Sequence, residues 1–149
     1  MFGKCTSTGR VIARLLLSAM VLIAANACGD DSGTGPSMQS VAGSYIASSF
    51  TITQSGSTID LLDLGASVDV TLNRNGTTTG TLFLPGVEED GSDLIADLSG
   101  TWSLRGKTVD FSHNADTFLR DLPFEVDGEA LKGEQNFGGV LVRVTLRKD

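Results

Sequence analysis

An all-β domain over residues 41–149, folded as an eight-stranded antiparallel up-and-down barrel, is the architecture this sequence predicts. Three observations predict it. Apolar and polar residues alternate at period two through most of that span, the signature of strands with one buried face. Glycine-containing dipeptides interrupt the alternation at hairpin spacing. No helical crossover separates the alternating segments, so consecutive strands run antiparallel as a meander. A chain of 149 residues, 40% of them apolar, supports one domain with a core of its own. Closing eight strands with one apolar face into a barrel removes the exposed edges of an open sheet.

The first residues read differently. Lys4, Arg10 and Arg14 are the only charges before Cys28, and all are positive. The apolar run from Leu15 to Ala27 follows them. A basic segment, a short apolar stretch and small residues at its end mark a secretory signal peptide, here 1–27. The run is too short for an uncleaved bilayer span, which takes about 20 residues. Its end, Ile23-Ala24-Ala25-Asn26-Ala27-Cys28 before Gly29-Asp30-Asp31, resembles the lipobox of bacterial lipoproteins. Ala25 and Asn26 depart from the usual pattern, while Ala27 and Cys28 match it. The resemblance implies cleavage before Cys28, lipid on Cys28, and a cell-envelope protein held to a membrane by that lipid. Gly29 rather than Asp after the cysteine resembles lipoproteins sent on to an outer membrane. Ordinary signal cleavage near Ala27, leaving Cys28 free, is the alternative. Cys5 lies in the leader, so no disulfide framework is expected.

Residues 28–40 are expected to be the lipidated cysteine and a tether. Gly29–Ser40 is rich in Gly, Ser and Asp and as a flexible coil would span about 17–21 Å. Cleavage removes three of the 11 basic residues and none of the 18 acidic ones, leaving a formal charge of −10. Such a body is repelled by anionic lipid and stands off the surface. The same charge excludes nucleic acid as a partner, because phosphate recognition needs clustered Lys and Arg.

Eight strands are expected, at about 42–53, 67–74, 77–84, 93–105, 107–113, 118–127, 129–135 and 138–147. Val68, Val70 and Leu72 face inward in the second, Leu82 and Leu84 in the third, and Leu98, Trp102 and Leu104 in the fourth. Val109 and Phe111, then Leu122, Phe124 and Val126, continue the face, and Val140, Val142, Val144 and Leu146 complete it. Asn75-Gly76 suits a two-residue hairpin with positive φ at both positions. Arg105-Gly106, Asp127-Gly128 and Gly138-Gly139 mark further reversals, and Glu88-Glu89-Asp90-Gly91 a longer acidic loop. Thr58–Leu64 breaks the pattern; a helical turn plugging one mouth of the barrel and a plain surface loop both fit it.

Val41-Ala42-Gly43-Ser44-Tyr45 resembles the Gly-x-Trp opening of the lipocalin (calycin) fold, with Tyr45 in place of Trp. The Gly100-Thr101-Trp102 strand is similar to small lipocalin-like domains of bacterial lipoproteins. The resemblance implies that Arg143 or Arg147 covers the Tyr45 ring from the last strand.

Little chemistry is on offer. Ser112, His113 and nearby Asp110 and Asp116 supply the residue types of a triad, but neighbouring strand residues face opposite sides and no nucleophile elbow occurs. Four carboxylates, Glu88, Glu89, Asp90 and Asp93, sit within six residues, yet their spacing is that of a solvated loop and not of a calcium site. Neither enzymatic activity, a catalytic residue, a metal nor a cofactor is expected. The leading expectation is a monomer whose barrel binds a small apolar ligand, with Tyr45, Trp102, Leu104, Phe111 and Phe124 lining the cavity. The alternative is a structural or protein-interaction module with a fully packed barrel. The interior volume discriminates, since ligand pockets run from roughly 300 Å³ upward.

Overall fold

The computed structural model describes residues 35–149, so the leader and Cys28 lie outside the described residues. The elements are α1 (Met38–Val41), β1 (Gly43–Gln54), β2 (Ser57–Asp60), β3 (Ser67–Leu72), β4 (Thr77–Leu84), β5 (Leu94–Asp97), β6 (Gly100–Arg105), β7 (Thr108–His113), α2 (Phe118–Asp121), β8 (Phe124–Asp127), β9 (Ala130–Phe137) and β10 (Val140–Lys148). The strands form one antiparallel sheet ordered β10-β9-β8-β7-β6-β4-β3-β1, and β1 pairs back onto β10. That pairing closes the sheet into an eight-staved up-and-down barrel, a lipocalin-like fold. β5 and β6 share one stave, broken at Leu98-Ser99, and β2 is a short flap on the far half of β1.

Closure runs from Tyr45 opposite Lys148 to Gln54 opposite Val140, with a bulge between Ala47 and Ser49. The extra residue switches which side chains face inward: Tyr45 is buried before it and Phe50 after it. Gly80 sits where β4 passes from β6 to β5, with φ of 152°. A Cβ there would strike the Asp69 carbonyl of β3, so the close approach of β3 and β4 requires glycine.

The core follows the alternation. Val68, Val70, Leu72, Leu82, Leu98, Trp102, Val109, Phe124, Leu131, Val142, Val144 and Leu146 are all buried. Leu104, Phe111, Val126 and Val140 pack against them half-buried.

Three local expectations are corrected. The β3–β4 connection has positive φ at Gly76 and not at Asn75; Asn73 and Thr77 close a three-residue loop, with the Asn73 carbonyl accepting from the Gly76 amide at 3.0 Å. This is a turn followed by a glycine bulge, steadied by Asn75 Oδ1 accepting from the Thr77 amide. Residues 118–121 are a helical turn rather than the start of a strand: Leu119 and Leu122, three apart, both bury, and Pro123 follows. Thr58–Leu64 is neither a plug nor a bare loop throughout, because Ser57–Asp60 pairs with β1. The Ser55-Gly56 turn, with φ of 50° and 83°, makes that hairpin. Ser37 caps α1 in a reciprocal box with Ser40.

Candidate functional site

Two places were candidates for function: the barrel interior and the aromatic at its opening strand. Around Phe111 and Phe124 the interior is lined by residues of β3, β7, β8 and β10, by Leu98 between β5 and β6, and by Leu119 of α2. The open space they leave, bordered by Val68, Val70, Leu98, Phe111, His113, Leu119, Phe124 and Leu146, amounts to about 10 Å³. That is room for about one water molecule. An eight-stranded barrel is just wide enough either to be filled by side chains or to hold one small ligand. Phe111 and Phe124 meet edge-to-face at 5.3 Å between ring centres, beside that space.

Of the five proposed cavity residues, Phe111 and Phe124 border that space and the other three lie elsewhere. Trp102, 4% exposed, sends its indole N–H to the Asn73 carbonyl at 2.8 Å. It thereby ties β6 to the β3–β4 turn. Leu104 is half-buried near the end of β6. Tyr45, 3% exposed, donates its hydroxyl to the Val41 carbonyl at 2.6 Å.

The side chain over Tyr45 is Lys148, neither Arg143 nor Arg147. Its ammonium lies 6.0 Å from the ring centre and donates to the Ser40 carbonyl at 2.9 Å. Arg143 is half-exposed and pairs with Glu134 on β9 instead. Period two explains the difference. Lys148 shares the face of Val144 and Leu146 and stands opposite Tyr45 in the register, whereas both arginines point outward. Burial is the main reason the Tyr45 phenol is held above its ordinary pKa, with Glu129 adding to it.

The interior also contains polar groups, of which the sequence singled out only His113. Thr78 is buried but donates to the Leu98 carbonyl at 2.7 Å. His113, 7% exposed, follows Val109 and Phe111 onto the inward face. Its Nδ1 lies 3.1 Å from the Ala115 carbonyl. A carbonyl only accepts, so Nδ1 carries the proton there and Nε2 presents a lone pair in the neutral ring. That Nε2 and Thr117 Oγ1 are buried without a hydrogen-bond partner. Ser112, next to His113, points to solvent and not toward the imidazole's side of the strand.

In the acidic loop, Asp93 accepts from the Gly86 amide and Asp90 from the Ser92 amide. Two of its four carboxylates therefore shape the turn, and among the described residues no group of His, Cys, Asp and Glu is arranged to hold a metal ion. No helix among the described residues is long and apolar enough to cross a membrane. No protein family, curated protein or solved structure matches the chain. Strand order and closure alone therefore identify the fold.

Proposed function

We propose that this chain is a bacterial cell-envelope lipoprotein, anchored by lipid on Cys28, whose lipocalin-like barrel is a packed scaffold acting through its outer surface. The observation that carries this reading is that the space bordered by Phe111, Leu119 and Phe124 measures only about 10 Å³, against the roughly 300–1,000 Å³ of small-molecule pockets. An apolar ligand of even modest size would have to displace Leu119 and the rest of α2, or separate Phe111 from Phe124. The packed module is thus favoured over the ligand carrier. Anchoring is supported by the basic leader and the Ala27-Cys28 junction, and Gly29 after the cysteine favours an outer membrane. The acidic charge of the exported body suits a monomer held clear of anionic lipid.

Native mass spectrometry of the chain purified from its own host tests the proposal. The expected mass is that of the processed polypeptide with its covalent lipid. A co-purifying apolar molecule, released only on unfolding, would contradict it.

A further inference from the structure

We propose that the outer edge of β5 is a docking site for an extended, basic segment of another protein, which adds to the barrel wall as an extra strand. The inference rests on the reading of the barrel as a surface-acting scaffold and names the surface. β5 hydrogen-bonds to β4 along Thr81–Leu84 and to no other strand. Its stave-mate β6 pairs with β7 as far as Gly100 opposite His113, and there the chain turns away into residues 114–117. The wall is therefore split beside β5. Backbone N–H and C=O groups on such an edge are a template for an incoming strand.

The split is a groove and not a flat margin. One wall is Leu94, Ile95, Ala96 and Asp97 and the other Asn114–Thr117, enclosing about 500 Å³. No backbone hydrogen bond joins these two walls. Thr117, 7% exposed, lies in the groove wall with Oγ1 unpartnered, and although it is the N-cap of α2 its side chain makes no capping bond. Ile95 is 69% exposed, the most of any large apolar residue described, and its cross-strand neighbour Phe83 is half-buried on the same outer face. At the β2 edge no buried polar atom among the described residues is left without a partner.

Charge selects the occupant. A second depression, bordered by Glu88, Glu89, Asp90, Asp93 and again Leu94 and Ile95, adjoins the groove. None of these four carboxylates, nor Asp97, takes part in an ion pair among the described residues; Asp116 does, with Arg120. Hydrogen bonds from Ser92 and Ser99 hold Asp90 and Asp97 below the usual carboxylate range, so both stay ionised. A second copy of this chain would bring the same acids to the same edge and be repelled. A segment alternating Lys or Thr with Val would set its Lys and Thr side chains on the outer face, beside Asp97 and Ile95, and its valines on the other face, against Leu94 and Ala96.

The test is a titration of the intact, host-processed chain in detergent micelles, followed by amide NMR, with the peptide Lys-Val-Lys-Val-Thr-Val-Lys. Saturable shifts confined to Leu94–Asp97 and Asn114–Thr117 are expected. The peptide Lys-Pro-Pro-Lys-Pro-Pro-Lys, of equal charge, should bind at least about tenfold more weakly, because paired prolines remove donors from both of its edges. Ile95→Lys should weaken binding by a similar factor without moving the melting temperature, since Ile95 is largely in solvent. Equal binding of the Pro peptide, shifts centred on β2, self-association through β5, or no saturation would each overturn the assignment. Peptide failure in a chain whose interior also excludes a fatty-acid probe would remove the edge assignment alone and leave the packed scaffold standing.

Discussion

Lys148 lies over the ring of Tyr45, its directly opposed partner in the β1–β10 register, with the ammonium 6.0 Å from the ring centre. The same ammonium donates to the Ser40 carbonyl, and the Tyr45 hydroxyl to that of Val41. One end of the described chain is thereby fastened to the other at the mouth of the barrel. Gly43 lies under the Lys148 stem, where a Cβ would strike its Cε, and its φ of 153° disfavours any side chain.

Gly43→Ala is therefore expected to destabilise the domain by about 1–3 kcal/mol through backbone strain and the clash. Lys148→Ala alone should cost about 0.5–1 kcal/mol, as an exposed cation–π contact does. The two should not add, since removing the lysine stem removes part of what the new methyl group would strike. Urea denaturation of the two single variants and the double variant measures this coupling.

Tyr45 also sets an alkaline limit. Its folded pKa is raised, chiefly by burial, so the folded state keeps the phenolic proton after the unfolded chain has lost it. The stability this confers is complete below about pH 10, the unfolded value, and is lost as pH rises toward the folded pKa. Stability measured from pH 9 upward should fall more steeply in the parent than in Tyr45→Phe. Equal slopes would show that Tyr45 ionises freely.

Much of this fold was legible because burial and period two coincide. Val68, Val70 and Leu72, or Val142, Val144 and Leu146, could be placed inside before any pairing was known. Parity, carried one step further, would also have found Lys148 and His113, which end the inward rows of β10 and β7. β2 escaped notice because Ser57–Asp60 is mostly exposed on both faces, and only the Ser55-Gly56 turn signals it. α2 was hidden by its length: in a four-residue turn, Leu119 and Leu122 fit a helix no better than a broken strand. The split beside β5 was illegible in principle, because alternation reports which face a residue takes and not whether its strand has a second neighbour.

Two buried threonines should respond oppositely to the same substitution. Thr78→Val removes a hydroxyl that donates to the Leu98 carbonyl, and should cost about 1–2 kcal/mol by leaving that carbonyl unpaired. Thr117→Val removes a hydroxyl with no partner, and should be neutral or stabilising by up to about 1 kcal/mol. Thermal melts of the two variants decide the sign of each.

Cys28→Ala should move the protein from the detergent phase to the aqueous phase, or leave it with its leader attached. Phase partitioning and intact mass measure this together. A parent protein already found in the aqueous phase would contradict the anchor.

The packed interior is tested most directly by titrating the chain with a fluorescent long-chain fatty acid while following probe and Trp102 emission. Trp102 should emit at short wavelength from its buried site throughout, and the probe should show no saturable change. Saturation near one equivalent, with quenching of Trp102, would mean that the barrel opens to a ligand and would contradict the proposed packed scaffold.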